Sequence, residues 1–378
     1  MGTEKDSPII AICYDFDKTL SPDDMQAQGF IQTVGYNPKE FWDESNNLAK
    51  EHGMDQNLAW MYEMMKKAEG KTLFTRQILR EYGSKVQLFP GVDTWFDRIK
   101  AYGDKVGVKV EHYIISSGLK EMIEGTAIGD KCKKIFASSF LYDDKTDVAK
   151  WPAQVVNYTN KTQFLFRIEK GVLDVNDQGV NNHFSLEDIR IPFRNMVYIG
   201  DSDTDVPCMK LVNSYGGYSI GVYNSETKDK TKVYKMVRDE RIKFFAEADY
   251  TEGSELDKLI KTIIDRTERN ERLERTYYSC LDEVRKNDLG KAEEDRKRTD
   301  LILALEDSRS FAQTHNVVKQ MDGISNWTDN EVESIVDIAL KNSQVYYILN
   351  DTDVKKFFLT LTKGRKTKNI EKLKNALE

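Results

Sequence analysis

The sequence predicts an α/β chain: a doubly wound parallel sheet with an inserted helical cap and a C-terminal helical extension. Three observations lead there. Short apolar runs, Ile9-Ile10-Ala11-Ile12, Tyr113-Ile114-Ile115 and Met196-Val197-Tyr198-Ile199, read as strands buried on both faces. Stretches of helical spacing separate them, which makes successive strands parallel. Each run ends in acidic or hydroxyl residues, and open α/β sheets bind ligands off the carboxyl ends of their strands.

The first strand runs out at Tyr14-Asp15-Phe16-Asp17-Lys18-Thr19-Leu20. Alternation sends residues two apart to one side, so Asp15 and Asp17 face a common site. Like charges held this close repel, and a bound cation is the usual remedy. A strand that merely enters an acidic turn would carry the same residues.

From residue 21 to 88 the pattern becomes helical, with Phe30, Ile31, Val34, Phe41, Trp42, Leu48, Leu58, Trp60, Met61, Met64 and Met65 at helical spacing. Gly35, Pro38, Gly53 and Gly70 punctuate it into several short helices. Their Met and aromatic stripes suit the insertion's own core. After Phe89-Pro90-Gly91-Val92 and a helix with Trp95, Phe96 and Ile99, the second strand ends in Ser116-Ser117-Gly118. Hydroxyls and free N–H groups at a strand-to-helix turn suit an anion, though many such turns carry Ser and Gly for backbone reasons only.

Ile135 to Phe140 reads as a third strand, Trp151-Pro152 as part of a hairpin, and Val155 to Tyr158 as a further short strand. Lys161 then opens a helix. A lysine in the first turn sits at the unfavourable end of the helix dipole, which points to a task, with a solvated side chain as the other reading. The strand at Met196 stops at Gly200-Asp201-Ser202-Asp203-Thr204-Asp205, and Tyr218 to Tyr223 adds another. A helix from about Lys232 to Ala246 precedes one opened by Ser254-Glu255-Leu256-Asp257.

Beyond about residue 265 the composition shifts. Arg266 to Asp300 is dense in mixed charge and reads as one long solvated helix. Helical segments follow at Leu301 to Met321, Thr328 to Leu349, Asp353 to Leu361 and Asn369 to Leu377. The expected domains are therefore a core of residues 1-20 and 89-265, a cap of 21-88 and an extension of 266-378.

Composition narrows the function classes. The chain has 378 residues, a net charge of -7 and 39% hydrophobic residues, enough for a sizeable core. An acidic whole argues against a general nucleic-acid binder, and the basic run Lys363 to Lys368 reads as solvated. No apolar stretch approaches the ~20 residues of a membrane span. Residues 1 to 7 are polar and leave no room for a signal peptide, so a cytoplasmic location is expected. Cys13, Cys132, Cys208 and Cys280 are scattered and read as buried free thiols; the four histidines are equally dispersed, so any metal should be a hard, oxygen-bound one.

Together, Asp15-Phe16-Asp17-Lys18-Thr19-Leu20, Ser116-Ser117-Gly118, Lys161 and Gly200-Asp201-Ser202-Asp203-Thr204-Asp205 resemble, in order, the four motifs of the haloacid dehalogenase superfamily. The best match is the phosphoserine-phosphatase-like branch with a helical cap, over roughly residues 8 to 265. The resemblance implies a Rossmann-like core and Mg²⁺-dependent hydrolysis of a small phosphorylated metabolite through an aspartyl phosphate. Asp15 would be the nucleophile, Asp17 the general acid and base, and Ser116, Ser117, Gly118 and Lys161 the phosphate ligands, Ser116 through its hydroxyl and Ser117 mainly through its N–H. The metal would lie on Asp15, the Asp17 carbonyl and Asp201, with Asp205 orienting from behind. The acid at position 17 fits ester hydrolysis or transfer to an alcohol rather than dehalogenation or ion pumping. The other class of reading is a regulatory or binding protein on the same fold, with the C-terminal helices as a module for a protein partner or self-association. Specificity must come from what closes over the site. Asp24, Met25, Gln28 and Phe30, nearest the hinge, are the first candidates, and the rim from Phe140 to Tyr158 is the alternative.

Overall fold

The computed structural model describes residues 7–184, 188–289 and 293–377. The polar residues 1–6, and residues 290–292 within the expected helix from Arg266 to Asp300, lie outside the described residues. The chain divides into two compact units, Met1–Leu273 and Glu274–Glu378.

The first unit is built on strands β1 (Ile9–Tyr14), β2 (Lys109–Leu119), β3 (Lys134–Tyr142), β4 (Ala149–Gln154), β5 (Met196–Gly200), β6 (Tyr218–Tyr223) and β7 (Phe244–Glu247). They form one sheet in the order β4-β3-β2-β1-β5-β6-β7. All pairs are parallel except the β3–β4 hairpin. Strand β1 is central because its side chains are apolar on both faces. Ile10, Ile12 and Tyr14 enter one buried cluster, and Ala11 and Cys13 enter another on the opposite face. Winding runs outward from β1 to β4 on one side and from β5 to β7 on the other. The reversal opens a crevice beyond the carboxyl ends of β1 and β5, where a parallel sheet of this kind holds its ligand.

Between β1 and β2 lie the insert helices α1 (Phe30–Thr33), α2 (Pro38–His52), α3 (Gln56–Ala68) and α4 (Arg76–Gly83), then α5 (Val92–Val106). Each longer insert helix starts on a side-chain cap: Asn37 accepts from Glu40 N–H, Asp55 from Asn57 and Leu58, and Thr75 from Ile78. Gly53, in the left-handed region at φ 61°, ends α2. Phe30, Phe41, Met61, Met64 and Leu79 are fully buried and continue the cluster beneath β1. The insert's two connections are joined where Phe89 N–H donates to Leu20 O at 2.9 Å.

The remaining helices of this unit are α6 (Lys120–Gly125), α7 (Lys161–Lys170), α8 (Val206–Ser214), α9 (Thr231–Arg238) and α10 (Glu255–Leu289), the last running across the boundary at residue 273. The second unit continues with α11 (Glu293–Glu306), α12 (Phe311–Asp322), α13 (Asp329–Lys341), α14 (Ser343–Tyr346), α15 (Thr352–Leu361) and α16 (Lys368–Leu377) around its own apolar cluster. Thr328 and Glu331 form a reciprocal capping box on α13.

Several local expectations are corrected. Residues 155 to 158 form no strand, because the Asn157 side chain accepts from Thr159 and Asn160 N–H and turns the chain into α7. The helix expected from Lys232 to Ala246 ends at Arg238, and edge strand β7 follows. Leu301 to Met321 is two helices, the second capped by Ser310, and Thr328 to Leu349 breaks at Asn342, which caps α14. All four cysteines are free, but only Cys13 and Cys208 are buried; Cys280 is exposed on α10.

Candidate active site

Strand β1 delivers Asp15 to the crevice. Its N–H donates to Ile199 O of β5 at 2.9 Å, and its Oδ1 accepts from Phe16 N–H at 2.8 Å. Two residues on, Asp17 Oδ1 accepts from Met25 N–H at 2.8 Å. Lys18 then adopts φ 58°, which turns the chain away from the sheet and into the insert. Strand β5 supplies Asp201, and the turn after it supplies Asp205 at the start of α8.

Lys161, the first residue of α7, is fully buried, with Nζ 3.1 Å from Asp15 Oδ1 and 2.8 Å from Asp205 Oδ1. Burial works against its charge, but the two carboxylates more than offset this and raise its pKa. The lysine is therefore held as a cation against Asp15, out of contact with solvent. The carboxylates are pushed the other way. Asp15 is raised by burial and then by the Asp205 charge, with Lys161 opposing. Asp17 is raised well above the carboxylate range by desolvation, then by Asp24 and Asp15. Asp201 is raised to about 6 by burial, with Lys232 opposing at 3.3 Å.

This crowding tests the site for a metal. Asp15, Asp201 and Asp205 each offer a carboxylate oxygen within 4.8 Å of the others. Asp205 already accepts four hydrogen bonds: Lys161 and Tyr198 OH on Oδ1, Ser202 N–H and Oγ on Oδ2. Its lone pairs are committed, which leaves Asp15 and Asp201 with spare acceptor capacity. A hard divalent cation fits such an oxygen set.

The stretch expected to bind an anion, at the carboxyl end of β2, departs from the register expected of it. Ser116 is fully buried and its Oγ accepts from Gly118 N–H at 3.0 Å. Ser117, not Ser116, lines the cavity beside Asp15 and Asp17. The cause is a register shift of β2 against β3 between Ser116 and Leu119. Gly118 leaves room for its neighbours: a Cβ there would lie 2.3 Å from Met25 Cε and 3.0 Å from Asp17 Oδ2.

Of the four insert residues expected to read the substrate, Asp24 lines the cavity and pairs with Lys18 at 2.8 Å. Met25 is fully buried and its sulfur accepts from Leu119 N–H at 3.3 Å. Gln28 ties the connections together, donating to Ser21 Oγ and Asp23 O and accepting from Gln87 N–H. Phe30 packs against Phe74 and Tyr82 in the insert's core. Those three face packing rather than the cavity.

The cavity, of about 520 Å³, is also lined by residues that the sequence reading passed over, among them Lys232, Asp55 and Asn57. Lys232 stands in the first turn of α9, just after β6, the same placement that drew attention to Lys161. Among the described residues, no helix is long and apolar enough to cross a membrane.

A buried carboxylate at the switch point, a buried lysine from a later crossover and a second acidic strand end thus meet at the carboxyl edge of one doubly wound α/β sheet. The family model for haloacid dehalogenase-like hydrolase matches residues 12–210, more than half of the chain, and the chain belongs to that family. It is 29% identical over 278 residues to an uncharacterized protein of Borreliella burgdorferi, covering 66% of this chain and 94% of that one. A HAD family hydrolase from Salmonella enterica subsp. enterica serovar Typhi aligns at 17% identity and TM-score 0.45, covering 68% and 72% of the two chains. A phosphoserine phosphatase with a phospho-aspartyl intermediate analogue aligns at 14% identity and TM-score 0.42, covering 68% and 99%.

Proposed function

We propose that the chain is a Mg²⁺-dependent phosphatase that hydrolyses a small phosphomonoester through an aspartyl phosphate on Asp15. The observation that carries this is Asp15 itself. Its Oδ1 is held by Phe16 N–H and Lys161, while no described residue hydrogen-bonds Oδ2, so one oxygen is fixed and one is free to attack.

Asp15 and Asp201, with the Asp17 carbonyl, would hold Mg²⁺, which when bound supplies charge to screen carboxylate from phosphate. The remaining chemistry belongs to side chains. Lys161 and Ser117 bind the phosphoryl oxygens and orient phosphorus toward Asp15, the Gly118 N–H being already donated to Ser116 Oγ. As the Asp15 oxygen–phosphorus bond forms and the phosphorus–alcohol bond breaks, Asp17 gives its proton to the departing alkoxide. The raised pKa of Asp17 suits that task, since the group must enter protonated. Asp17, now ionised, takes a proton from water as water oxygen bonds to phosphorus and the Asp15–phosphate bond breaks. Asp205, saturated by four donors, holds Lys161 in line throughout.

The test is turnover of para-nitrophenyl phosphate by purified protein with Mg²⁺. Parent activity that disappears in Asp15→Asn supports the reading. Equal activity in the variant overturns the covalent mechanism.

A further inference from the structure

Beside the carboxylates, under the insert, lies a smaller cavity of about 280 Å³, at the low end of the roughly 300–1,000 Å³ typical of ligand pockets. Asp17 and Ser117 line it as they line the larger cavity, so the alcohol of a substrate seated on Asp15 can project into it. Its outer walls are Gln26, Asn46, Gln56, Trp42 and Trp60.

Gln26 is the informative residue. It sits on the short 3-10 turn Met25–Ala27, is only 2% exposed, and lines the cavity, yet no described residue hydrogen-bonds its side-chain amide. A buried amide without partners is unfavourable unless something that enters the cavity satisfies it. Asn46 and Gln56, exposed residues on the cavity wall, also make no side-chain hydrogen bonds to described residues and keep their amides open to a ligand. Asn57, by contrast, is spent on Val156 O and Trp60 Nε1 and serves to hold the wall.

The charges on this wall exclude two classes of leaving alcohol. No lysine, arginine or histidine lines the smaller cavity, so a carboxylate or second phosphate would find no cation there to pair with. A fixed ammonium meets Asp24 already paired with Lys18 at 2.8 Å. What remains is an amide set, which both donates and accepts, as hydroxyl groups do. Trp42 and Trp60 meet at 78° with ring centroids 6.5 Å apart, giving an apolar corner for the C–H face of a sugar.

We propose that the substrate is the phosphomonoester of a small, uncharged, hydroxyl-rich alcohol, a sugar or polyol phosphate, with Gln26 and Asn46 binding its hydroxyls. This rests on the phosphatase reading. The experiment compares kcat/KM with Mg²⁺ for glucose 6-phosphate and sorbitol 6-phosphate, for phosphoserine and 3-phosphoglycerate, for phosphocholine, and for para-nitrophenyl phosphate. The neutral polyol esters should exceed every charged ester at least tenfold. Gln26→Leu and, on the exposed side of the cavity, Asn46→Leu should each lower the ratio of sorbitol 6-phosphate to para-nitrophenyl phosphate turnover at least tenfold, mainly through KM. A charged ester at the top, or unchanged ratios in both variants, overturns the proposal. If the parent hydrolyses no ester at all, the phosphatase reading is what fails. Titration of metal-free protein with sorbitol 6-phosphate, read by tryptophan fluorescence, then decides for the cavity: saturable quenching weakened by Asn46→Leu supports it, and no response overturns it.

Discussion

Lys161 Nζ lies 2.8 Å from Asp205 Oδ1, a fully buried ion pair joining the first residue of one crossover helix to the residue that precedes another. Neither group has water to fall back on. Removing one partner of such a pair typically costs about 3–5 kcal/mol, because the other charge is stranded. Lys161→Met should therefore lower stability by that order in urea denaturation and reduce kcat/KM at least a hundredfold. Parent-like stability would mean that the pair is solvated in solution.

Asp15→Asn should behave differently. It relieves a crowded carboxylate at a strand end, so the denaturation midpoint should hold or rise while turnover falls by more than a thousandfold. Turnover within tenfold of the parent rules out Asp15 as the nucleophile.

Chelation supplies a third check. Exhaustive EDTA should abolish hydrolysis, Mg²⁺ should restore it, and Ca²⁺ should inhibit because it prefers more oxygen ligands than this carboxylate set provides. Activity that survives chelation would require a different account of the acidic cluster.

Gly118→Ala separates packing from chemistry. The added methyl meets the flexible end of Met25 at 2.3 Å, which can move, and Asp17 Oδ2 at 3.0 Å, which cannot move without losing aim. We expect a loss of about ten- to a hundredfold in kcat with only a small change in midpoint, on the order of 1 kcal/mol. Unimpaired kcat would show that Asp17 tolerates displacement.

Behind the site, Trp95 Nε1 donates to Tyr14 OH, Tyr14 OH to His112 Nδ1, and His112 Nε2 to Phe96 O. Burial, then the Lys100 charge, lowers the His112 pKa from 6.5 to about 3. The folded chain thus refuses a proton that the unfolded chain accepts. This stabilisation is complete above pH 6.5 and is lost progressively as pH falls from there toward 3. Between pH 7.5 and 5 it should amount to about 2 kcal/mol, and His112→Gln should flatten that part of the urea-stability profile. Parallel profiles for parent and variant would refute it.

The strand ends were legible because an apolar run that stops on an acidic or hydroxyl residue stands out locally. Asp15, Asp17 and Asp201 share that signal and line one crevice, whereas Lys161 was legible from its place at the unfavourable end of a helix and lies 3.1 Å from Asp15. The Ser116 and Ser117 assignment turned on a register shift against a neighbouring strand, which alternation along one strand cannot reveal. Edge strand β7 is four residues long and half exposed, too short for a period to show. Gln26 and Asn46 were missed for another reason. Their position over the site is set by how the insert packs on the sheet, and Gln26 sits on a single 3-10 turn whose sequence looks like any loop.

The hydrogen bond from Phe89 N–H to Leu20 O closes a narrow neck, through which the whole insert enters and leaves the sheet. A gene can therefore exchange everything between those two residues for a different helical segment without altering the order or spacing of the strands. Reaction chemistry and substrate choice can in this way diverge at separate rates. The neck also marks a practical splice point: an insert from a relative, grafted between Leu20 and Phe89, should transfer that relative's preferences onto this chain's catalytic floor.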